Sequence, residues 1–413
     1  MNSKNSLLTG IVVFLLTIVS CNEQETTIVI NNNSDLSRVD EPVVIDRENL
    51  GVDFDNASPA YPLLINDDGD TIPSQVDDMD LDGTWDELFF LVSVDAFTKL
   101  NLKIVPVETL PEFETRTNIR FARKLSGENL AEVDTATRLH STETKFSARA
   151  FQMEGPAWEN DVIGFRNYYD ARNGMDIFGK ITSEMVLDEV GLGENYHEMQ
   201  SWGMDILKVG NALGAGSIAL VKDDSLYRVG PGSVGKYKLV TEGPLRSVFQ
   251  LIFNNWSPVG DDTIGIVHEI AIQGGANGYK STLSLTRETD SPETIAAGIV
   301  NMQSDAAIIT DHNEQFKSLS TFDRQSFFDE YLGMAILASK NNILGFNEAP
   351  EEGEGITQSY YASFKVSPGN PVTYYFLAGW EKTNPDFADK DYFIQTIQDK
   401  ADGLMFPVEV EIK

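Results

Sequence analysis

The chain has 413 residues, 64 acidic against 31 basic side chains, a formal net charge of −33 and a single cysteine. A polyanion of this kind is not built to hold nucleic acid or an anionic lipid surface through charge, and one cysteine excludes a disulfide framework. A chain this long exceeds what one hydrophobic core usually holds, so two domains or one very large sandwich are expected.

Taken in order, the chain opens with Lys4 and "LLTGIVVFLLTIV", an apolar run too short for a stable membrane span and read as a signal peptide over residues 1–20. It ends in "IVSC", with Ser20 before Cys21, which resembles the bacterial lipobox whose cysteine becomes an acylated (palmitate-type) N-terminus. The expected address is therefore the bacterial outer membrane, on its periplasmic or cell-surface face, with the lipid as the only membrane contact. Residues 21–40, rich in Asn, Ser and acid, read as a lipidated linker. Residues 41–110 read as an acidic β-rich N-terminal part, and residues 111–413 as a large β-sandwich carrying the active site.

Strand signals then dominate: "PVVIDR", "YPLLIN", "ELFFLVSVDAF", "LNLKIVPVE", "DVIGFRNYYDA", "SIALV", the long stretch 237–256, "TIGIVHEIAIQ", "KSTLSLTRE", "TIAAGIVNM", "MAILAS", "SYYASFKV" and "PVTYYFLAGW". They are short, rich in β-branched and aromatic residues, and mostly bounded by Gly, Asn, Asp or Pro. The fold class is all-β, a large antiparallel β-sandwich. "FDRQSFFDEYLG" is a candidate for a short helix, and "NPDFADKDYFIQTIQDKADGL", with Phe387, Phe393, Ile394 and Ile397 near helical spacing, predicts a late C-terminal helix.

Charge is unevenly spread. Residues 51–115 hold fifteen acids against two lysines, whereas residues 161–250 hold twelve acids against nine Lys or Arg, so an anionic ligand is expected in the second region. Within the first, "DDMDLDGTWDE" alternates Asp78, Asp80 and Asp82 before Gly83 and Asp86. That is the half of a calcium loop, although it lacks the bidentate Glu and flanking helices, and a solvated β-turn is the simpler account. A structural calcium is the only metal entertained; no cofactor is expected, and the metal question is otherwise open.

In "GFRNYY", strand alternation places Phe165, Asn167 and Tyr169 on one face and Arg166 and Tyr168 on the other. An arginine and a tyrosine together suit a carboxylate or sulfate; a surface arginine stacked on a tyrosine is the bland alternative. "GENYHEMQSWGMDILKVGNALGAGS" sets His197 beside Tyr196, with Trp202 as a flat face for a sugar, Lys208 as a charge, and glycines at 203, 210, 214 and 216 for close backbone approach. His268 in "GIVHEIAIQGG" reads as a satisfied core histidine, or as a substrate contact on a concave sheet face.

Together, "IPSQVDDMDLDGTWDELFF", "ENDVIGFRNYYDARNGMDIFGK", "YHEMQSWGMDILKVGNALGAGSIAL" and "YYFLAGWEKTNPDF" resemble a family of Bacteroidetes lipoproteins from polysaccharide-utilisation gene clusters, long filed as a domain of unknown function. One group of that family is similar to the ulvan-oligosaccharide dehydratase of marine flavobacteria. The sandwich is also similar to the galactose-mutarotase-like super-sandwich of carbohydrate-active enzymes. The resemblance, over about residues 40–413, implies a carbon–oxygen lyase. It would remove the C5 proton and the C4 hydroxyl from the terminal uronic acid of a sulfated, ulvan-type oligosaccharide. On that reading Arg166 neutralises the substrate carboxylate with Lys208 as helper, His197 is the base, Tyr168 or Tyr196 protonates the leaving oxygen, and Trp202 stacks on the sugar. Two alternatives stand beside it. A polysaccharide lyase would use the same proton abstraction to expel the next sugar, and a non-catalytic glycan-binding lipoprotein would use Trp158, Trp202, Trp256 and Trp380 as platforms.

Overall fold

The computed structural model describes residues 26–52, 54, 61–124, 130–138, 150–230, 233–260, 263–286 and 291–413. The signal peptide and Cys21 lie outside them. Among the described residues no helix is long and apolar enough to cross a membrane.

The described residues form an antiparallel β-sandwich with a smaller β unit at its N-terminal side. In that unit one sheet runs Glu409–Ile412, Thr27–Asn31, Lys99–Val107, Tyr61–Asn66, Thr71–Ile72, and a second runs Arg38–Asp46, Glu87–Val94, Ser74–Asp77. They enclose their own core of Ile28, Ile30, Val43, Leu88, Phe90 and Leu102. The segment 21–40 is expected as linker, but from Thr27 it is strand: Thr27–Asn31 joins the sheet with Val29 and Ile30 buried. The unit also takes in the last strand of the chain, which sequence-local reasoning had left with the sandwich.

The sandwich sets a nine-stranded sheet against two five-stranded ones. The large sheet runs from Thr135–Arg138 through Val234–Glu242, Arg246–Trp256, Ile264–Gln273, Gly278–Thr286, Val372–Trp380, Leu332–Ser339 and Phe316–Asp323 to Ile308–Asp311. Opposite lie Ser225–Arg228, Ala215–Lys222, Glu293–Val300, Ser359–Val366, Ile343–Glu348, and a second sheet, Gly203–Asp205, Met175–Lys180, Ile163–Asn167, Ala157–Asn160, Thr117–Arg120. One continuous core, including Trp158, Phe165, Phe249, Ile270, Ile295, Phe364 and Phe376, draws on all three sheets. The stretch 237–256 breaks at Gly243–Pro244 into a hairpin, because proline cannot donate to the ladder.

Polar side chains lock the two parts together. Arg246 reaches Asp77 and Glu87, and the Gln75 amide oxygen accepts from the Leu245 and Arg246 amides at 2.8 and 2.9 Å. Arg116 forks onto Asp40 at 2.7 and 2.8 Å while its Nε donates to Asp161 at 2.6 Å.

The late helix spans Lys390–Met405, capped by the Asp389 carboxylate on the Asp391 amide, with Phe393, Ile397 and Ala401 buried. Phe387 belongs instead to a preceding 3-10 turn, Pro385–Ala388. No helix forms in "FDRQSFFDEYLG", where strands end at Asp323 and restart at Leu332. Gly333 and Gly379 are direct cross-strand partners, and a Cβ on them would come within 2.4 Å of the Phe393 and Phe387 rings, respectively. This glycine pair is the trough in which the helix and its lead-in turn sit. Gly333→Ala should lower stability by about 1–3 kcal/mol in urea unfolding, with Gly333→Ala/Phe393→Leu recovering part of it; an unchanged midpoint would mean the helix is not seated there.

Candidate active site

The site grows from the register of three short strands. Arg166 pairs with Asp176 across the Ile163–Asn167/Met175–Lys180 hairpin, and Phe178 pairs with Asp205 on the next strand. Directly opposed residues share a face, so Arg166, Asp176, Phe178 and Asp205 project to one side while Phe165, Met175 and Ile177 enter the main core. The expected split of "GFRNYY" is the observed one: Tyr169 is in the core, and the Tyr168 hydroxyl accepts from Arg166 Nη2 at 2.9 Å.

Arg166 is only 1% exposed. Its Nη2 also donates to Asp176 Oδ2 at 2.5 Å and to Asp205 Oδ2 at 2.9 Å, and its Nη1 donates to the Tyr196 hydroxyl at 3.1 Å. Tyr168 in turn donates to Asp176 Oδ2 at 2.6 Å. One guanidinium thus faces two buried carboxylates. Burial, and then the charge of Asp205, raise the Asp176 pKa far above the ordinary carboxylate range despite Arg166. Burial likewise pushes the Tyr168 phenol well up, so it keeps its proton.

The cluster reaches water through His197. Its side chain is 53% exposed, and Nδ1 lies 3.3 Å from Asp205 Oδ2. The bond to Asp205 raises its pKa, with partial burial opposing. Nδ1 held on a carboxylate leaves Nε2 as the free basic nitrogen, an arrangement suited to moving a proton near neutral pH. The Tyr196 ring lies 4.5 Å from the imidazole, centroid to centroid. On the other flank Arg172, 24% exposed, lies 3.8 Å over the Tyr168 ring and pairs with Asp170 and Glu154.

The loop 181–202 roofs this face, although it carries no regular element of its own. Glu159 accepts from the Val186 and Leu187 amides at 2.7 and 2.8 Å, and the Gln152 amide donates to the Leu187, Asp188 and Val190 carbonyls. Leu187, Val190 and Trp202 pack on Phe178 beneath.

Several expected roles change. Arg166 is buried with Nη2 between two acids, so it organises the cluster from beneath and does not meet a substrate carboxylate at the surface. Trp202 is 9% exposed and edge-on to Phe178, which closes its face to a sugar. His268 is fully buried with Nε2 2.6 Å from Ser281 Oγ, and burial takes its pKa down to about 3, as for a neutral core histidine. Lys208 is exposed and, among the described residues, forms no ion pair. Gly203, Gly214 and Gly216 serve packing: an added Cβ would meet Gly179 O at 1.8 Å, Met175 O at 2.0 Å and the Tyr279 hydroxyl at 2.5 Å. Trp158, Trp256 and Trp380 are at most 1% exposed, which removes the platforms of a binding-only module.

Asp176, Asp205 and Arg172 were missed by sequence reasoning. The pairing of Arg166 with Asp176 across the "DARNG" turn is one signal that points to the first.

Far from this cluster, Asp78, Asp80 and Asp86 bring carboxylate oxygens within 4.8 Å of one another. Asp82 turns away to its neighbour Thr84. Asp78 and Asp86 accept from the Met79, Asp80, Leu81, Asp82 and Gly83 amides, so turn chemistry accounts for the loop's shape.

Over residues 30–410 the sequence matches DUF4861, a domain of unknown function. The chain belongs to this family. It is 23% identical over 416 residues to the uncharacterized protein P7 of Formosa agariphila, spanning 95% of this chain and 96% of that protein. A crystal structure of a glycosyl hydrolase family 38 protein from Enterococcus faecalis covers 95% of this chain at a TM-score of 0.50 and 10% identity. An α-mannosidase from E. faecalis V583 covers 94% at 0.50 and 8%. The chain spans about half the length of each, 48% and 46%, and at this identity the likeness is one of fold.

Both shifted groups bind protons more tightly folded than unfolded. Their contribution to stability is therefore greatest below the unfolded pKa values and is lost as pH rises through the folded ones. Asp205→Asn should return the His197 pKa toward the ordinary imidazole range, read from the pH titration of its ring-proton NMR signal among only four histidines; an unchanged value would mean Asp205 does not hold the ring.

Proposed function

We propose that this protein is a carbohydrate-active dehydratase acting on the terminal uronic acid of sulfated, ulvan-type oligosaccharides. The observation that carries the reading is an exposed histidine, His197, held through Nδ1 by a buried carboxylate. Two structurally similar proteins named as a glycosyl hydrolase and an α-mannosidase support a sugar substrate.

In this reading His197 Nε2 takes the C5 proton, and the C5–H electron pair forms the C4–C5 double bond. The C4–O bond breaks with its electrons on oxygen, and Tyr196, whose hydroxyl already accepts from Arg166, protonates it so that water leaves. Return of the proton from His197 to Tyr196 resets both groups. The C5 carboxylate is met by Arg172, whose side chain is 24% exposed over the Tyr168 ring, while Arg166 stays beneath, offsetting Asp176 and Asp205. No cofactor takes part. Acylation of Cys21 anchors the protein in the outer membrane, six positions before the first strand begins at Thr27.

The test incubates the full chain with uronic-acid-terminated oligosaccharides and follows conjugated-enoate absorbance and product mass. Loss of one water at constant chain length is expected. Shorter chains would instead identify a β-eliminating lyase using the same base, and binding without product a glycan-binding protein. His197→Ala, shown folded by circular dichroism, should slow turnover about 10²–10⁴-fold. The low-pH limb of kcat/KM should lie above the ordinary imidazole pKa of about 6.5, since the base must lose its proton. Mass spectrometry should find an acylated N-terminus at Cys21 that Cys21→Ala abolishes; an unmodified mature N-terminus would overturn the anchor.

A further inference from the structure

A groove of about 640 Å³ lies away from the His197 cluster, where the N-terminal unit, the outer face of the nine-stranded sheet and the late helix meet. Its floor holds Lys280 and Tyr375, which are direct cross-strand partners and so share a face. The strand Arg38–Asp46 forms one wall, with Arg38 and Glu41, and the helix forms the other, with Tyr392 and Lys400.

The charges here run against the composition. In a chain with 64 acids and 31 bases, three cations, Arg38, Lys280 and Lys400, face one cavity. Among the described residues neither lysine forms an ion pair. Lys400 is half-buried, and its ammonium lies 5.1 Å from the Tyr375 ring centroid. Arg38 is 6% exposed; it donates to the Phe406 carbonyl at 2.6 Å and meets Glu41 only at 3.9 Å, and its Nε is buried without a partner. The other charges at the cavity are already committed: Arg246 to Asp77 and Glu87, and Asp40 to Arg116. Asp399 accepts from Gln395 on the exposed helix surface.

The half-buried Lys400 ammonium, which has no ion pair among the described residues, is costly unless something else supplies the charge, and the exposed Lys280 beside it adds a second positive charge. Burial holds Lys400 below the ordinary lysine range and, after the opposing charge of Glu41, Lys280 and Arg38 add to that. A groove of this volume is in the range that encloses a small ligand. A tyrosine rim beside fixed cations suits a sugar ring carrying an oxyanion.

We propose that this groove is a second saccharide site, in which Lys280, Lys400 and Arg38 hold a carboxylate or sulfate ester and Tyr392 flanks the ring. The choice of a saccharide rests on the proposed function; the preference for an oxyanion rests on the groove itself. The site lies on a different sheet and face from His197, so it serves to retain an acidic chain rather than to react with it.

The test uses the full chain, purified in detergent, with His197→Ala to prevent turnover. Calorimetry measures binding of a uronate disaccharide, a sulfated neutral disaccharide and the unmodified neutral disaccharide. A second binding event is expected for the two anionic ligands and not for the neutral one. It should weaken at least about tenfold in Lys400→Gln or Lys280→Gln, and excess inorganic sulfate should compete with it. With His197 restored, neither substitution should change turnover of a short substrate. Unchanged affinity in both lysine variants, or equal binding of the neutral disaccharide, overturns the proposal. Should no uronate be turned over by the protein with His197 intact, the catalytic reading fails while the groove is still judged by its own binding event.

Discussion

The candidate site depends on one guanidinium set between two carboxylates out of reach of water. Removing one member of a buried ion pair costs about 3–5 kcal/mol because the other is left uncompensated. Here the bookkeeping is asymmetric from the start, since Asp176 and Asp205 share Arg166. Burial first, and the charge of Asp205 second, raise the Asp176 pKa, and the bond to Asp205 raises that of His197. Geometry and electrostatics are therefore one fact: the strand register that puts Asp176 opposite Arg166, and Asp205 opposite Phe178, also sets the proton affinity of His197, which is open to solvent.

Much of the fold was legible because it follows from period-two patterning and turn chemistry. The strands, the late helix and the face shared by Arg166 and Tyr168 all rest on local rules. The split of 237–256 was also written locally, in Gly243–Pro244, and was passed over because the flanking apolar runs read as one. What could not be read was non-local. Nothing near Ile28 announces that it pairs with Ile412 at the other end of the chain. Exposure was equally hidden. Trp202 and His197 lie five positions apart in a loop of similar composition, yet one wedges against Phe178 and the other meets water.

The same distinction explains why the residues picked for their chemistry divided as they did. Arginine and tyrosine were read onto a shared face, where the structure has them, but sequence shows donors and not the acids that occupy them. Asp176 and Asp205 sit in "NGMDIF" and "WGMDIL", near-identical contexts in which the aspartate interrupts an apolar strand. A charged residue at a strand position flanked by buried apolar ones requires a partner, and two such interruptions facing one arginine are the signal to seek in related sequences.

A second buried ion cluster on the same sheet face shows why burial alone does not mark a site. Lys180 and Glu159 pair at 2.6 Å with both side chains at 0% exposure, and Lys180 also donates to the Asn160 carbonyl at 2.6 Å. Burial lowers the Lys180 pKa, as it would for a catalytic lysine. Glu159 also accepts from the Asn118 side chain at 3.2 Å and from the Val186 and Leu187 amides, the last two holding the roof loop down. No atom of that pair meets solvent. The Arg166 cluster differs in the contact of Asp205 with an exposed imidazole, through which a proton can be exchanged with a substrate.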